Sequence, residues 1–352
     1  AAAGEVLAAA LAGRRQGEAA RFARPVELAG QEFEQATVRR EFGASRRALL
    51  LQMQPGGRLF VCKFKDLTRE HALMCAVRRM NRRWQEQGVS VCGVAVEALA
   101  YDIHPLGPEL GLIEAVPESR TLSELAQGCA RGERQLRVLR AVHEDAACLD
   151  KLAATTVGCL TMGYALGIRD GHDGNLMLRS DGAFFRIDFE FAFGRTPEID
   201  TPATFVPHAV ALALGSLRWA VVQDACGPAL RALSGEEARS LGLAPLGLAA
   251  AGLGLGAGGR LPAWDCLRGT PELGPLLAEA HAHARTLSFE AFEREVRRAD
   301  GWSLSRSAKN SIREALSYLT GEAGAGAAKD WPSALGLLGL APRPAASGAA
   351  AA

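Results

Sequence analysis

One stretch constrains this chain more than any other: GIRDGHDGNLMLRSDGAFFRIDFEFAFG, residues 167–194. Two apolar arms flank Ser180-Asp181-Gly182, a turn-forming triplet, so the stretch is expected to fold as a β-hairpin. Asp170 and His172 precede the first arm, Asn175 opens it, and Asp188 closes the second. Residues equidistant from a hairpin turn lie side by side, so Asn175 and Asp188 are expected at the same open end. Their oxygens suit magnesium, which takes one or two protein ligands together with phosphate and water. Asp170 and His172, on the loop beside that mouth, suit the handling of a proton from an attacking hydroxyl.

The rest of the chain supplies a setting for that hairpin. Residues 31–66 read as strands and turns, with RALLLQMQPGGRLFVCKFKD split into two apolar runs at Pro55-Gly56-Gly57. Residues 67–87 change to helical spacing, where Leu67, Met74, Val77, Met80 and Trp84 recur at threes and fours. VCGVAVEALAYDI and ELGLIEAV read as two further strands, and 119–166 as mainly helical. Beyond the hairpin, 204–320 reads as mostly helical, interrupted by LAPLGLAAAGLGLGAGG at 243–259, too glycine-rich for a stable helix and expected as a surface insertion. The organisation expected is a flexible segment over 1–22, a β-rich small lobe over 23–117, a larger helical lobe over 118–340, and a disordered tail over 341–352. This is an α+β, two-lobed arrangement, and clefts between lobes are common ligand sites.

Composition narrows the function. The formal net charge is +1, which gives no support for nucleic-acid binding. The basic run VRRMNRRW reads as a solvated helix face. The eight cysteines are scattered with no C-x-x-C pair, as for free thiols in a reducing, cytoplasmic setting. His281 and His283 are two apart on an expected helix and make a poor metal pair. The opening AAAGEVLAAALAGRRQGEAA lacks Met, reads as a fragment or processed product, and is too polar for a signal peptide or membrane span. No transmembrane segment is expected; peripheral membrane contact stays open.

YALGIRDGHDGNLMLRSDGAFFRIDFEFAFG resembles the catalytic and metal-binding segments of the phosphatidylinositol 3-/4-kinase superfamily, G-D-R-H-x-x-N-I-M followed by I-D-F-G. That superfamily includes related protein kinases. GLIEAVPESRTL resembles its hinge, MNRRWQEQG the end of its small-lobe helix, FVCKFKDLTRE its phosphate-lysine strand, and ASRRALLLQM its phosphate-facing loop. Order and rough spacing agree over residues 43–210. The resemblance implies a kinase-like fold that binds ATP and Mg2+. It implies that Lys63 contacts the α-phosphate side of ATP and pairs with Glu70, and that Ser45 lies over the phosphates. Glu114 and Val116 would offer backbone groups to adenine. Asp170 and His172 would fall in the catalytic loop, His172 as general base or charge stabiliser, and Asn175 and Asp188 would hold magnesium.

The sequence departs from the pattern at two informative positions. Gly171 replaces the Arg of D-R-H, removing a cation from the catalytic loop. Glu190 replaces the Gly of D-F-G, where positive φ suits Gly and not Glu, and it adds negative charge beside the metal site. The segment DFEFAFGRTPEIDTPATFVP, residues 188–207, carries one basic residue, Arg195, against Asp188, Glu190, Glu198 and Asp200, which disfavours a polyphosphorylated lipid. The expected function is transfer of the ATP γ-phosphate to a hydroxyl of phosphatidylinositol or of a protein. The alternative is a pseudokinase acting as a nucleotide-binding or scaffold module.

Overall fold

The structure, a computed structural model, describes residues 3–42, 48–127, 145–197, 204–233, 266–267 and 269–297. Helix α1 (Ala3–Leu11) leads into an antiparallel sheet of β1 (Ala19–Leu28), β2 (Gln31–Phe42), β3 (Ala48–Gln54), β4 (Leu59–Lys63), β7 (Ile103–Pro105) and β8 (Gly111–Glu114). The strand order is β1-β2-β3-β4-β8-β7. β3 shows the alternation expected of a half-buried strand, with Leu49, Leu51 and Met53 inward. Those residues join Phe33, Phe60 and Cys62 in one apolar core.

That core also takes in Val6, Leu7 and Leu11 of α1. The flexible segment expected over 1–22 is therefore corrected: residues 3–11 are helical and β1 begins at Ala19. The alanines give helix propensity, and the few large apolar residues fall on one face that the sheet buries.

Helix α2 (Thr68–Glu86) follows β4, with Ala72, Leu73, Met74, Ala76, Val77, Met80 and Trp84 all buried. Asp66 Oδ1 accepts from the backbone N–H of Thr68 at 2.8 Å and helps start it. The strand expected in VCGVAVEALAYDI is only β5 (Ser90–Val91) and β6 (Val94–Ala95), plus β7 further on. Cys92 and Gly93 have φ of 52° and 80°, so a tight two-residue hairpin turn breaks the run. Asn81 holds the following segment, donating to the Ala98 carbonyl at 2.7 Å and accepting from its N–H at 2.9 Å.

β9 (Ser119–Thr121) starts a second sheet and ends in the one-turn helix α3 (Leu122–Leu125), closed by a Thr121/Glu124 capping box. α4 (Ala146–Ala165) is buried around almost its whole circumference from Leu149 on. It leads to the hairpin of β10 (Leu176–Arg179) and β11 (Phe184–Arg186), which forms with β9 a sheet of order β11-β10-β9. On α4, buried Thr155 accepts from the Phe184 N–H at 3.0 Å and donates to the Lys151 carbonyl at 2.8 Å, so β11 is fastened to the helix.

Helices α5 (His208–Ala232), α6 (Leu273–Ala284) and α7 (Phe289–Arg297) complete the described residues. Trp84 at the end of α2 donates to the Ala229 carbonyl of α5 at 2.9 Å. α5 is broken at Gly215 (φ 69°, ψ 169°). Residues 209–232 are long and apolar enough to cross a membrane by length and composition, although a third of that window is buried inside the protein. The arrangement is mixed α+β. Ser45, the 243–259 insertion and the 341–352 tail lie outside the described residues.

Candidate functional site

The hairpin places its polar residues as its spacing implies. Leu176 pairs with Arg186 and Leu178 with Phe184, and the Ile187 N–H donates to the Asn175 carbonyl at 3.0 Å. Asn175 and Asp188 thus sit one residue apart across the open end. Asn175 Nδ2 donates to the Asp170 carbonyl at 3.0 Å and to Asp170 Oδ2 at 3.3 Å. Its own amide oxygen accepts from no group among the described residues.

Asp188 stands at φ 62°, a left-handed conformation that Asp tolerates better than most residues. Its Oδ2 takes Lys63 Nζ at 2.9 Å. Its Oδ1 is buried, accepts no hydrogen bond and lies 3.9 Å from Lys65 Nζ. Burial would raise this carboxyl, but Lys63 and Lys65 overcome that and hold it below the usual carboxylate value, so it is ionised. A buried anionic oxygen with no donor, at the open end of a hairpin whose other arm begins at Asn175, fits a hard cation such as Mg2+.

Glu70 is 3 % exposed, and its direct partner is Lys65 at 2.7 Å. The expected Lys63–Glu70 pair is not a direct bond: Lys63 bonds Asp188 and acts on Glu70 through its charge. Lys63 and Lys65 are two residues apart, so both project from the same side of an extended chain toward the acids. Lys65 also bonds Glu190 Oε2 at 3.0 Å. Burial would lower its ammonium, but Glu70, Asp188 and Glu190 outweigh burial and push it well above the ordinary lysine value. Glu70 is shifted upward, burial being the largest influence.

Both departures from the sequence pattern meet a structural answer. Glu190 is not a left-handed residue, since that role falls to Asp188, so the strain expected at position 190 is absent. Its charge is met by Lys65. At Gly171, Arg186 of β11, 2 % exposed, brings its guanidinium over the glycine. A Cβ at 171 would stand 2.5 Å from Arg186 Nη2 and 3.0 Å from Cζ. Arg186 Nη1 donates to the Ile168 carbonyl at 3.1 Å, bracing the loop from below. The residue-171 position thus has a guanidinium against it, although the side chain at 171 itself carries no charge.

The loop has a fixed internal geometry. Asp170 is left-handed (φ 58°), the His172 N–H donates to the Asp170 carbonyl at 2.9 Å, and the Asn175 N–H to that of His172 at 2.8 Å. His172 Nδ1 accepts from the Gly174 N–H at 3.0 Å. The neutral ring therefore carries its proton on Nε2, which lies 3.8 Å from Asp170 Oδ2.

Tyr101 was not singled out by its sequence context. It is buried, its phenol bonds the backbone of Asp188, and its ring centroid is 6.4 Å from that of Phe189. Burial, then Glu70 and Asp188, push the phenol upward, so it stays neutral. Lys65 was detectable from the K-x-K alternation; Tyr101 and Arg186 carry no local signal. At the expected hinge, the Glu114 side chain pairs with Arg58 at 2.6 Å and its N–H donates to the Asp102 carbonyl at 2.8 Å. The Val116 carbonyl accepts from Ser119 Oγ at 2.6 Å, while its N–H donates to no group among the described residues. Arg195 bonds Glu279 of α6 at 2.7 Å, and Arg69 of α2 pairs with the same carboxylate.

Residues 143–210 match the family model for phosphatidylinositol 3- and 4-kinase. Among curated proteins, the chain is 29 % identical over 149 residues to phosphatidylinositol 3-kinase VPS34 of Arabidopsis thaliana, covering 40 % of this chain and 17 % of that protein. It is 32 % identical over 106 residues to the nodule isoform of phosphatidylinositol 3-kinase from Glycine max, covering 28 % and 13 %. It is 26 % identical over 156 residues to phosphatidylinositol 3-kinase VPS34 of Saccharomyces cerevisiae, covering 43 % and 17 %. The matched region spans only about a sixth of the length of such relatives.

Proposed function

We propose that this chain, whose similarity lies with the phosphatidylinositol 3-/4-kinase catalytic-domain superfamily, is an ATP-dependent phosphotransferase acting on a hydroxyl of phosphatidylinositol. The single observation that carries the reading is Asp188. It is an ionised carboxylate set beside Asn175 by the hairpin, met by Lys63 from the sheet, with a buried oxygen left for a cation. We read the sheet with α2 as a small lobe and the helices beyond residue 118 as a large one, with nucleotide between them.

In this mechanism Asn175 and Asp188 hold magnesium, which when bound neutralises charge on the ATP phosphates. Lys63 exchanges its bond to Asp188 for the α-phosphate side of the nucleotide. Lys65 keeps Glu70 and Glu190 neutralised, so that neither repels the phosphates. Adenine is read by the Glu114 carbonyl and the Val116 N–H. Asp170, oriented by Asn175 Nδ2, accepts the proton of the attacking hydroxyl. His172 has its Nδ1 lone pair taken by Gly174, so it acts through Nε2–H as a charge stabiliser and not as the base.

The acceptor follows from charge. Arg195, the one basic residue directly after Asp188, is already bound to Glu279, so it adds little for a phosphorylated head group. Leu217, 84 % exposed beside the break at Gly215, supports a peripheral membrane contact.

The test is transfer of labelled phosphate from ATP, with magnesium, to vesicles containing phosphatidylinositol or to a protein mixture. Label is expected in the lipid, and Asp188→Asn is expected to lower it at least about a thousandfold, the scale of losing a main electrostatic element. Label only in protein would move the acceptor. No label in either, with ATP still bound, would establish the pseudokinase.

A further inference from the structure

Away from the phosphotransfer residues, α2 carries a second group of chemically capable side chains. His71 and Cys75 are one helical turn apart on the same face. Cys266, from the segment preceding α6, comes against that face. Single ligand atoms of the three lie within 4.8 Å of one another. His71 Nε2 is 3.8 Å from Cys75 Sγ. Tetrahedral zinc, with Zn–S of about 2.3 Å and Zn–N of about 2.0 Å, has ligand–ligand edges of about 3.5–3.8 Å. The His71–Cys75 edge already has that length, and the sulfur of Cys266, within 4.8 Å of both, would need to move by no more than about 1 Å.

The imidazole is oriented for the purpose. His71 Nδ1 lies 2.8 Å from the Ile103 carbonyl and donates to it, which leaves the Nε2 lone pair facing the sulfurs. An imidazole with its far nitrogen fixed on a backbone carbonyl is the usual outer support of a metal ligand. Cys266 is also held in place. Its neighbour Leu267 is fully buried, and the Leu267 carbonyl accepts from the Thr270 N–H at 2.9 Å and from its hydroxyl at 2.7 Å. Two thiols and an imidazole form a soft donor set that selects zinc over magnesium. Cys266 is exposed, and His71 and Cys75 are half-buried, so the site opens to solvent and a water can take the fourth position.

We propose that His71, Cys75 and Cys266 form a zinc-binding site that fastens the Cys266–Leu267 segment to helix α2. On binding, the two thiols release their protons to solvent and the neutral imidazole coordinates through Nε2. His71 directly follows Glu70 in α2, so the ion would also stiffen the turn that presents Glu70 to Lys65. This inference does not depend on the proposed phosphotransfer.

The full chain, reduced, stripped with chelator and exchanged into metal-free buffer, is titrated with Zn2+ and separately with Co2+. About one equivalent is expected to bind, with Co2+ giving a thiolate-to-metal charge-transfer band and the visible bands of a tetrahedral ion. Zn2+ is expected to raise the melting temperature. Cys75→Ser and Cys266→Ser should each weaken Zn2+ binding at least about a hundredfold, beyond the 10–100-fold cost of losing an outer support alone. Cys266 is exposed, so its variant folds, and circular dichroism checks this. Cys92→Ser, an exposed cysteine elsewhere, should change nothing. The proposal is overturned if Cys266→Ser binds Zn2+ as tightly as the natural chain, if Co2+ gives no thiolate band, or if the pair instead oxidises to a Cys75–Cys266 disulfide and the reduced chain takes up no metal.

Discussion

Arg186 and Gly171 behave as one unit, because the space that a side chain at 171 would need is filled by the buried guanidinium. Gly171→Ala should therefore destabilise by about 1–3 kcal/mol, the scale of overpacking in a tight interior. Restoring an arginine at 171 should impair both stability and transfer while Arg186 is present. Combining Gly171→Arg with Arg186→Ala should recover part of both. A double-mutant cycle in thermal or urea denaturation should give a coupling of at least about 1 kcal/mol, and additivity would refute the exchange. Lys65 is the second residue whose removal should cost more than its own contacts suggest. Lys65→Met removes the cation that bonds buried Glu70 directly and leaves only the charge of Lys63 near it; breaking a buried pair costs up to about 3–5 kcal/mol. Pairing it with Glu70→Gln should return most of that loss, as read by urea denaturation.

At the scale of elements, α6 braces the end of α4 and the turn before residue 170 through His283. Its Nε2 donates to the Tyr164 carbonyl at 3.0 Å, and its ring lies over Gly167, which has φ of 59°. Burial, with Arg169 nearby, lowers the imidazole below its ordinary value despite that hydrogen bond. A group whose folded pKa is depressed contributes stability that is present above the unfolded value, near 6.5, and is lost as pH falls from there through the folded value. The melting temperature should thus fall as pH drops below about 6.5, and His283→Gln, which keeps a donor for Tyr164, should flatten that part of the profile. Trp84 ties α2 to α5. Trp84→Ala should cost about 3–5 kcal/mol by leaving a cavity, checked by denaturation with the nucleotide-binding residues unchanged.

For the whole molecule, charge around the site should decide the acceptor. Arg195 and Arg69 both pair with Glu279, so among the described residues 189–197 the one basic side chain is already engaged. Transfer to phosphatidylinositol should exceed transfer to a bisphosphorylated inositide by at least about tenfold at low salt, with the gap narrowing as salt screens it. Glu279→Gln should release Arg195 and narrow the gap at constant salt. Vesicle assays across a salt series check both.

The sequence by itself determined whatever depends on short-range spacing. The 167–194 hairpin, the helix over 67–87, the strands on either side of Pro55-Gly56-Gly57, and the juxtaposition of Asp170, Asn175 and Asp188 all follow from turn residues and from periods of two and near four. Residue 171 as the site of a lost cation was also visible in the chain. Tertiary structure alone decided that Arg186 lies over Gly171, that Lys63 bonds Asp188 while Lys65 bonds Glu70, that Tyr101 bonds the Asp188 backbone, and that α1 belongs to the core. Each of these joins residues brought together by packing, across gaps from five to more than a hundred positions. Electrostatic compensation is a property of distance in space, and no local pattern encodes it.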